Sequence, residues 1–369
     1  MILTSPPSRP LTSFVIRHIA VCKQRVPAYR GVHILCAYIG VSAGGVLLTD
    51  EQNKPVSRRD FVKTAVTTAA VAGISEIIPV PAFAADQKAA LATRPLGKTG
   101  HEVKIYSLGG QATLEQPGKD AEADQIINRA IDLGCNYIDT AAAYGRGVSQ
   151  TYIGRVMKTR RKEVYLATKT AHRDYDGAMK DLEQSLKSLQ TDQIDAWQMH
   201  HVGSDEDLEQ IFSPTGVLKA MQKARDQKMI RNIGITGHRD PFVLKKAIER
   251  FDFDQILMAL NAADRHTASF IDNLLPVAES KKMGIIGMKV PARGRLFRDT
   301  GITTMQQAMS YVLTLPVSTI IVGIDDVKQL EENVQIATNF KPLTKPEMAR
   351  LEDLTKPYYA DASWFKVQW

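Results

Sequence analysis

Apolar and polar positions along the chain follow two different periods, and the switch between them recurs eight times. Short apolar runs, often β-branched and bounded by Gly, Asp or Pro, occupy residues 103–108, 137–140, 164–168, 194–199, 232–236, 255–260, 285–289 and 319–322. Runs without a polar face predict strands buried on both sides, as in a parallel sheet. Between them the apolar positions fall three and four apart. Ile126, Ile127, Ala130 and Ile131 do so, as do Met179, Leu182, Leu186 and Leu189, and Leu244, Ala247, Ile248 and Phe251. That spacing lays one stripe of a helix against a sheet. Gly134 stands where a helix-ending glycine belongs, and Thr303, Asp325 and Thr344 are predicted helix starts.

Eight strand–helix units with right-handed crossovers suit a closed barrel better than an open sheet. An open dinucleotide-binding sheet would also want G-x-G-x-x-G after its first strand, and Gly109-Gly110-Gln111-Ala112 does not match it. The predicted fold class is therefore α/β, a (β/α)8 TIM barrel over residues 93–369. Just before the first strand, residues 94–100 alternate like a hairpin with a Gly turn, which would plug the barrel floor. At the other end, Trp364 and Trp369 belong to a C-terminal tail expected over the barrel.

Composition changes the picture mainly upstream. At 369 residues and 44% hydrophobic the chain can bury a large core, and its net charge of +7 would suit an anionic partner. However, residues 1–84 hold nine Lys/Arg against four acids, so +5 lies there and only +2 in the remainder. No basic run with interleaved aromatics follows, which argues against nucleic-acid binding. Within that leader, Ser57-Arg58-Arg59-Asp60-Phe61-Val62-Lys63 resembles a bacterial twin-arginine export signal. A weakly apolar stretch comes next and then Ala82-Phe83-Ala84, with cleavage expected after Ala84. Residues 57–84 thus read as an address for the twin-arginine machinery, and the mature protein as periplasmic, or anchored if the signal stays on. Residues 1–56 fit such a signal poorly, and translation is expected to begin near 46–48. The rival reading takes 31–48 as a membrane anchor, though it is short for the roughly 20 residues a span needs. Of Cys22, Cys36 and Cys135, only the last lies in the mature part, where it reads as a buried structural thiol.

Candidate chemistry falls at the C-terminal ends of predicted strands, where barrels carry their active sites. Asp139 closes the second strand and Tyr144 follows in its loop. Lys169 ends the third strand and His200 the fourth. Hydride reduction of a carbonyl leaves an alkoxide that needs a proton, and a free Tyr, with a pKa near about 10, is a weak acid at neutral pH. An ammonium beside the phenol should lower that value, and a carboxylate should hold the ammonium. His201 is expected to point away from His200, because neighbouring strand residues alternate. No metal site is implied.

Asp139-Thr-Ala-Ala-Ala-Tyr144-Gly145, then Gly147-x-Ser149, resembles the D-T-A-x-x-Y-G-x-G-x-S signature of the aldo/keto reductases. Ala167-Thr168-Lys169-Thr170 and Asp195-Ala-Trp-Gln-Met-His200 are similar to that family's later signatures. The resemblance covers the mature chain. It implies an NADP(H)- or NAD(H)-dependent oxidoreductase acting on an aldehyde, ketone or sugar. Tyr144 would be the acid, Lys169 and Asp139 its tuners, and His200 the group orienting the carbonyl.

The implied cofactor site departs from the family pattern. Thr236-Gly237-His238 stands where a Ser-Asn pair commonly grips the carboxamide, whereas Asn261 fits. Met288, followed by Lys289, replaces the aromatic that often stacks on the nicotinamide. Gly294 and Arg295 lie near the expected pyrophosphate. After the last strand, Gly323-Ile324 and Gln329 replace the cations that clamp the 2′-phosphate, while Glu332-Asn333 retains the adenine-contacting end. This leaves NADP(H) and NAD(H) both open, and export adds an expectation of tight cofactor binding. His172, Arg173, Asp174 and Tyr175 would line the mouth and suit a polyol. Two other classes remain open: a cofactor-bound binding or regulatory subunit, and a carbohydrate epimerase or lyase. Neither the substrate's identity nor the oligomeric state is legible.

Overall fold

The chain divides into two compact units, Met1–Ala84 and Ala85–Trp369. The computed structural model describes residues 90–368, and in the first unit the backbone of one antiparallel hairpin, Tyr38–Ser42 with Gly45–Thr49. That hairpin lies in the stretch weighed as an anchor and includes the expected translation start at 46–48. No helix among the described residues is long and apolar enough to cross a membrane. The residues read as a twin-arginine motif and as a cleavage site, together with Cys22, Cys36 and Trp369, lie outside the described residues.

In the second unit eight parallel strands close into a barrel in chain order: β1 Tyr106–Ala112, β2 Tyr137–Asp139, β3 Tyr165–Thr170, β4 Ile194–Met199, β5 Ile230–Gly237, β6 Gln255–Ala259, β7 Gly284–Met288 and β8 Thr319–Ile324. β8 closes onto β1, with Ile320 opposite Tyr106. Helices alternate with the strands, as in Asp120–Asp132 after β1 and Tyr175–Leu189 after β3. The periodic residues face as their spacing demands. Ile126, Ile127, Ala130 and Ile131 are all buried, and so are Leu182, Leu189, Leu244, Ala247 and Ile248. Phe251 lies one residue past its helix, Pro241–Arg250, and is only partly buried.

The barrel interior forms a small apolar cluster of its own: Leu96, Val103, Tyr137, Tyr165, Ala167, Ala196, Leu257, Ile286, Met288 and Ile321. Leu96 and Val103 come from the plug, whose strands Thr93–Pro95 and Glu102–Lys104 pair antiparallel. This corrects the first strand boundary. The apolar run 103–108 spans two elements, with Val103 in the plug and Ile105 between the plug and β1. β1 then runs on through two glycines, where an apolar-run criterion stops. Two helix starts are also one residue late of prediction: Thr304 rather than Thr303, and Asp326 rather than Asp325, accept the capping backbone hydrogen bonds, while Thr344 caps as expected.

The tail packs on the loops after β6 and β7. Thr355 Oγ1 donates to the Ala262 carbonyl (3.0 Å), and the Tyr358 hydroxyl donates to that of Leu296 (3.0 Å). Buried Lys366 bonds Asp264 Oδ1 (2.6 Å) and the Thr267 and Ala268 carbonyls (2.6 and 3.0 Å). Cys135 is a buried free thiol whose pKa burial pushes up to about 12.

Candidate active site

Register sets the site. β2, β3 and β4 lie side by side, with Asp139 opposite Ala167 and Lys169 opposite Gln198. Lys169 is the penultimate residue of β3, and His200 follows the last residue of β4. Lys169 Nζ donates to Asp139 Oδ2 at 2.5 Å, to the Thr140 carbonyl at 2.8 Å and to the Tyr144 hydroxyl at 3.1 Å. The Tyr144 and His200 rings meet edge to face, 5.7 Å between centroids. All four predicted site residues are thus gathered at one end of the barrel.

Lys169 and Asp139 are each only 1% exposed, so burial and the partners that oppose it both weigh heavily on their charge. Burial alone would strip the proton from Lys169, but the Asp139 carboxylate and Tyr144 overcome it and hold the ammonium above its ordinary pKa. Burial raises the Asp139 carboxyl, with Lys169 and the Gln198 amide pulling the other way. Tyr144 corrects the expectation of a lowered phenol. Its burial raises the pKa and outweighs the lowering by Lys169. At neutral pH the hydroxyl therefore carries its proton, as a donor must. Burial, and then the Lys169 charge, hold the His200 imidazole neutral by pushing its pKa well below the ordinary value.

His201 does not point away from His200. The strand has ended at Met199, and His201 takes a left-handed backbone (φ 56°) that turns its ring onto His200 at 3.6 Å. His238 joins them, 5.0 Å from His201. Burial and nearby Lys169 lower His201 to about 4. Among the described residues no cluster of His, Cys, Asp or Glu could hold a metal ion.

The residues expected around a nicotinamide lie at, or just past, the C-terminal ends of β5, β6 and β7. Thr236 is buried with its hydroxyl unpartnered, as is the Nδ1 of His200. Gly237 is required where it stands, since a Cβ there would lie 2.3 Å from the Val202 carbonyl. No side-chain amide could replace it. Asn261 accepts from the Ala263 amide (2.9 Å) and donates to the Lys289 carbonyl (3.3 Å), which ties two mouth loops together. Met288 ends β7 inside the barrel cluster. Lys289 has φ 59°, and burial, with Arg293 and Lys169 nearby, lowers its ammonium to about 7.

The remaining residues are held differently. Gly294 has φ 85° in the β7 loop, and Arg295 is engaged by the tail, 3.1 Å from Asp361 and over the Trp364 ring at 4.8 Å. Gly323 sits in β8. Gln329 accepts from the Asp325 amide (2.9 Å), Glu332 lies 3.8 Å from Lys328, and buried Asn333 donates to the Tyr106 hydroxyl (3.4 Å).

Of the four residues after β3, Asp174 caps the following helix by accepting from Gly177. Arg173 pairs with Asp207 (2.6 Å) and donates to the His200 carbonyl (2.8 Å). Sequence reasoning missed Gln198, which donates to Asp139 Oδ1 at 3.1 Å. Its position two residues before His200 on a strand, and therefore on the same face, was the available signal.

The profile of the Aldo/keto reductase family matches residues 106–302. The chain belongs to the aldo/keto reductase family. It is 26% identical over 310 residues to L-galactose dehydrogenase of Arabidopsis thaliana, a match covering 72% of this chain and 94% of that one. The fold is similar to that of the holo form of the Bacillus halodurans aldo-keto reductase AKR11C1, with TM-score 0.61, 25% identity and coverage of 72% and 96%. It is also similar to an aldo-keto reductase from Klebsiella pneumoniae solved in complex with NADPH, with TM-score 0.61, 21% identity and coverage of 73% and 96%. The protein is an oxidoreductase of this family.

Proposed function

We propose that the enzyme interconverts a carbonyl and an alcohol with NADP(H) or NAD(H). The observation that carries this reading is the Lys169 ammonium bonded at once to Asp139 and to the Tyr144 hydroxyl. A bound nicotinamide supplies the hydride. Tyr144 gives its proton to the developing alkoxide, and Lys169 beside it stabilises the phenolate left behind. Neutral His200 offers a ring N–H to the carbonyl oxygen, and Arg173 braces its backbone. The fit to a nicotinamide is supported by the buried, unpartnered Thr236 hydroxyl at the strand end where the carboxamide is expected. With Gly237 unable to carry an amide, Thr236 and His238 take over that contact.

Substrates in this reading are hydroxylated carbonyls such as sugars, because a neutral imidazole, His200, stands beside Tyr144, with His201 and His238 in line behind it. We further propose twin-arginine export, cleavage after Ala84 and work in the periplasm, with the cofactor carried tightly bound. The boundary between the two compact units at Ala84–Ala85 supports that cleavage point. The test is protein isolated from its native compartment. Mass spectrometry should find nicotinamide nucleotide bound and Ala85 at the N-terminus, and added reduced cofactor should turn over with sugar aldehydes or ketones. Turnover of sugars without any nicotinamide would instead indicate an epimerase or lyase.

A further inference from the structure

Gln198 lies outside the four residues that the family signatures single out, yet it is fully buried beside them. Its amide nitrogen donates to the Asp139 oxygen that Lys169 does not use: Gln198 takes Oδ1, Lys169 takes Oδ2. The carboxylate at the end of β2 is thereby held at both oxygens, by one side chain from β3 and one from β4. The Gln198 carbonyl oxygen is buried without a partner. A buried amide with half its bonding unmet carries a desolvation cost, which the bond to Asp139 offsets.

Room for this side chain comes from the next strand. Gly234 pairs with Gln198 on one side and Gln255 on the other. A Cβ on Gly234 would come within 2.8 Å of Gln198 Cγ and 3.0 Å of Gln255 Cγ, so it would press both glutamines out of place. Gln255 is anchored from below by the Tyr137 and Tyr165 hydroxyls at 3.1 Å each, which leaves Gln198 as the one to move.

We propose that Gln198 is a positioning residue of the active site, fixing the Asp139 carboxylate against Lys169, and that Gly234 is the opening that admits it. The chain of action is Gln198 to Asp139 to Lys169 to Tyr144, and its link to turnover rests on the reading of Tyr144 as the acid. The titratable groups facing Asp139 are Lys169 from β3, Tyr144 from the loop after β2 and Tyr137 from its own strand. His200, at the end of β4, is the next one out and feels Lys169. Removing the Gln198 donor leaves the carboxylate less stabilised, so its pKa rises further. As pH falls, the ion pair is then lost sooner.

The experiment follows the protonated-carboxyl infrared band of Asp139, assigned by its loss in Asp139→Asn, in the full chain without substrate. In Gln198→Leu this band should appear at higher pH than in wild type, by on the order of one unit. Gly234→Ala should shift it the same way, and should do nothing further in a Gln198→Ala background. The acid limb of kcat should move with the band while the cofactor dissociation constant stays unchanged. A band titrating as in wild type in Gln198→Leu and in Gly234→Ala, with only the melting temperature lowered, would overturn the proposal. Should Gln198→Leu fail to fold, Gly234→Ala decides alone. A shifted band in an enzyme that reduces no carbonyl would support the positioning role and sink the reading of Tyr144.

Discussion

The two ends of the barrel are both lined with buried polar groups, but they are satisfied in different ways. At the floor Asn232 donates to the Tyr165 hydroxyl (2.9 Å), which donates to Gln255 (3.1 Å), whose amide donates to the Tyr137 hydroxyl (3.1 Å). At the mouth the bonds around Lys169 are as short, yet Gln198 Oε1, His200 Nδ1 and Thr236 Oγ1 stay buried and unpartnered. The backbone repeats the contrast. Left-handed Gln190, Lys228 and Lys282 at the floor follow helices and lead into β4, β5 and β7. At the mouth His201, Lys289, Ala292 and Arg293 take the same conformation after strands. A left-handed residue that stops a helix satisfies its last carbonyls. One in a loop after a strand has no helix end to satisfy and carries the conformational cost for the turn alone. The floor is finished by the chain itself except at His101 Nε2, buried and unpartnered beside Tyr165, whereas the mouth keeps three such atoms and several left-handed residues in reserve for something that binds.

If that division is right, the largest effect belongs to Tyr144→Phe. It removes one hydroxyl at the mouth and should lower kcat about 10²- to 10⁴-fold. Its melting temperature should stay close to wild type, as measured by steady-state kinetics and thermal unfolding side by side. Lys169→Met should cost comparable activity and, unlike Tyr144→Phe, also stability. It strands a buried carboxylate, a loss of about 3–5 kcal/mol in denaturant titrations. Adding Asp139→Asn should recover much of that stability and none of the activity. The floor counterpart is Tyr165→Phe, which leaves Asn232 and Gln255 each short of a partner. About 1–3 kcal/mol should be lost, with kcat and KM unchanged. A fall in kcat there would mean that the two polar regions are one.

The fold was legible because its signal is redundant. Eight apolar runs alternating with helical stripes tolerate an error in any one, and the misplaced start of β1 did not alter the barrel. Asp139, Tyr144 and Lys169 were legible as residues at strand ends, but the electrostatics were not. Spacing puts an ammonium beside a phenol, and only packing tells how much water both have lost, so the direction for Tyr144 came out reversed. His201 failed for a related reason. Alternation holds within a strand, and nothing in Met199-His200-His201 says that the strand has already stopped. Gln198 was hidden by habit, since a lone glutamine in an apolar run reads as an irregularity. Arg295, Gln329 and Asn333 show the opposite limit, because correspondence of position could not foresee that Asp361, Asp325 and Tyr106 already hold them.

The mouth's histidines give a smaller effect, read as a pH dependence. The folded pKa of His201 is about 4 against 6.5 for the free group, and those of His200 and His238 are depressed too. Between those values the unfolded chain binds protons that the folded one refuses. Stability is therefore complete above about pH 6.5 and drains away as pH falls toward about 4. The melting temperature should drop by a few degrees over that range, and His201→Phe should flatten the slope.

The smallest effect is the most direct comparison, because it places one substitution at both ends. Lys282→Gly replaces a left-handed residue (φ 53°) just before β7 and should stabilise by about 1 kcal/mol or less, with turnover untouched. His201→Gly relieves a backbone of almost the same φ, 56°, but removes the ring stacked on His200. If strain at the mouth is held for function, this variant should gain stability and lose kcat/KM, with His200 titrating closer to its ordinary value by NMR. Should His201→Gly behave like Lys282→Gly, more stable and equally active, then the left-handed residues at the mouth are only turns. The difference between the two ends would then rest on the unpartnered polar atoms alone.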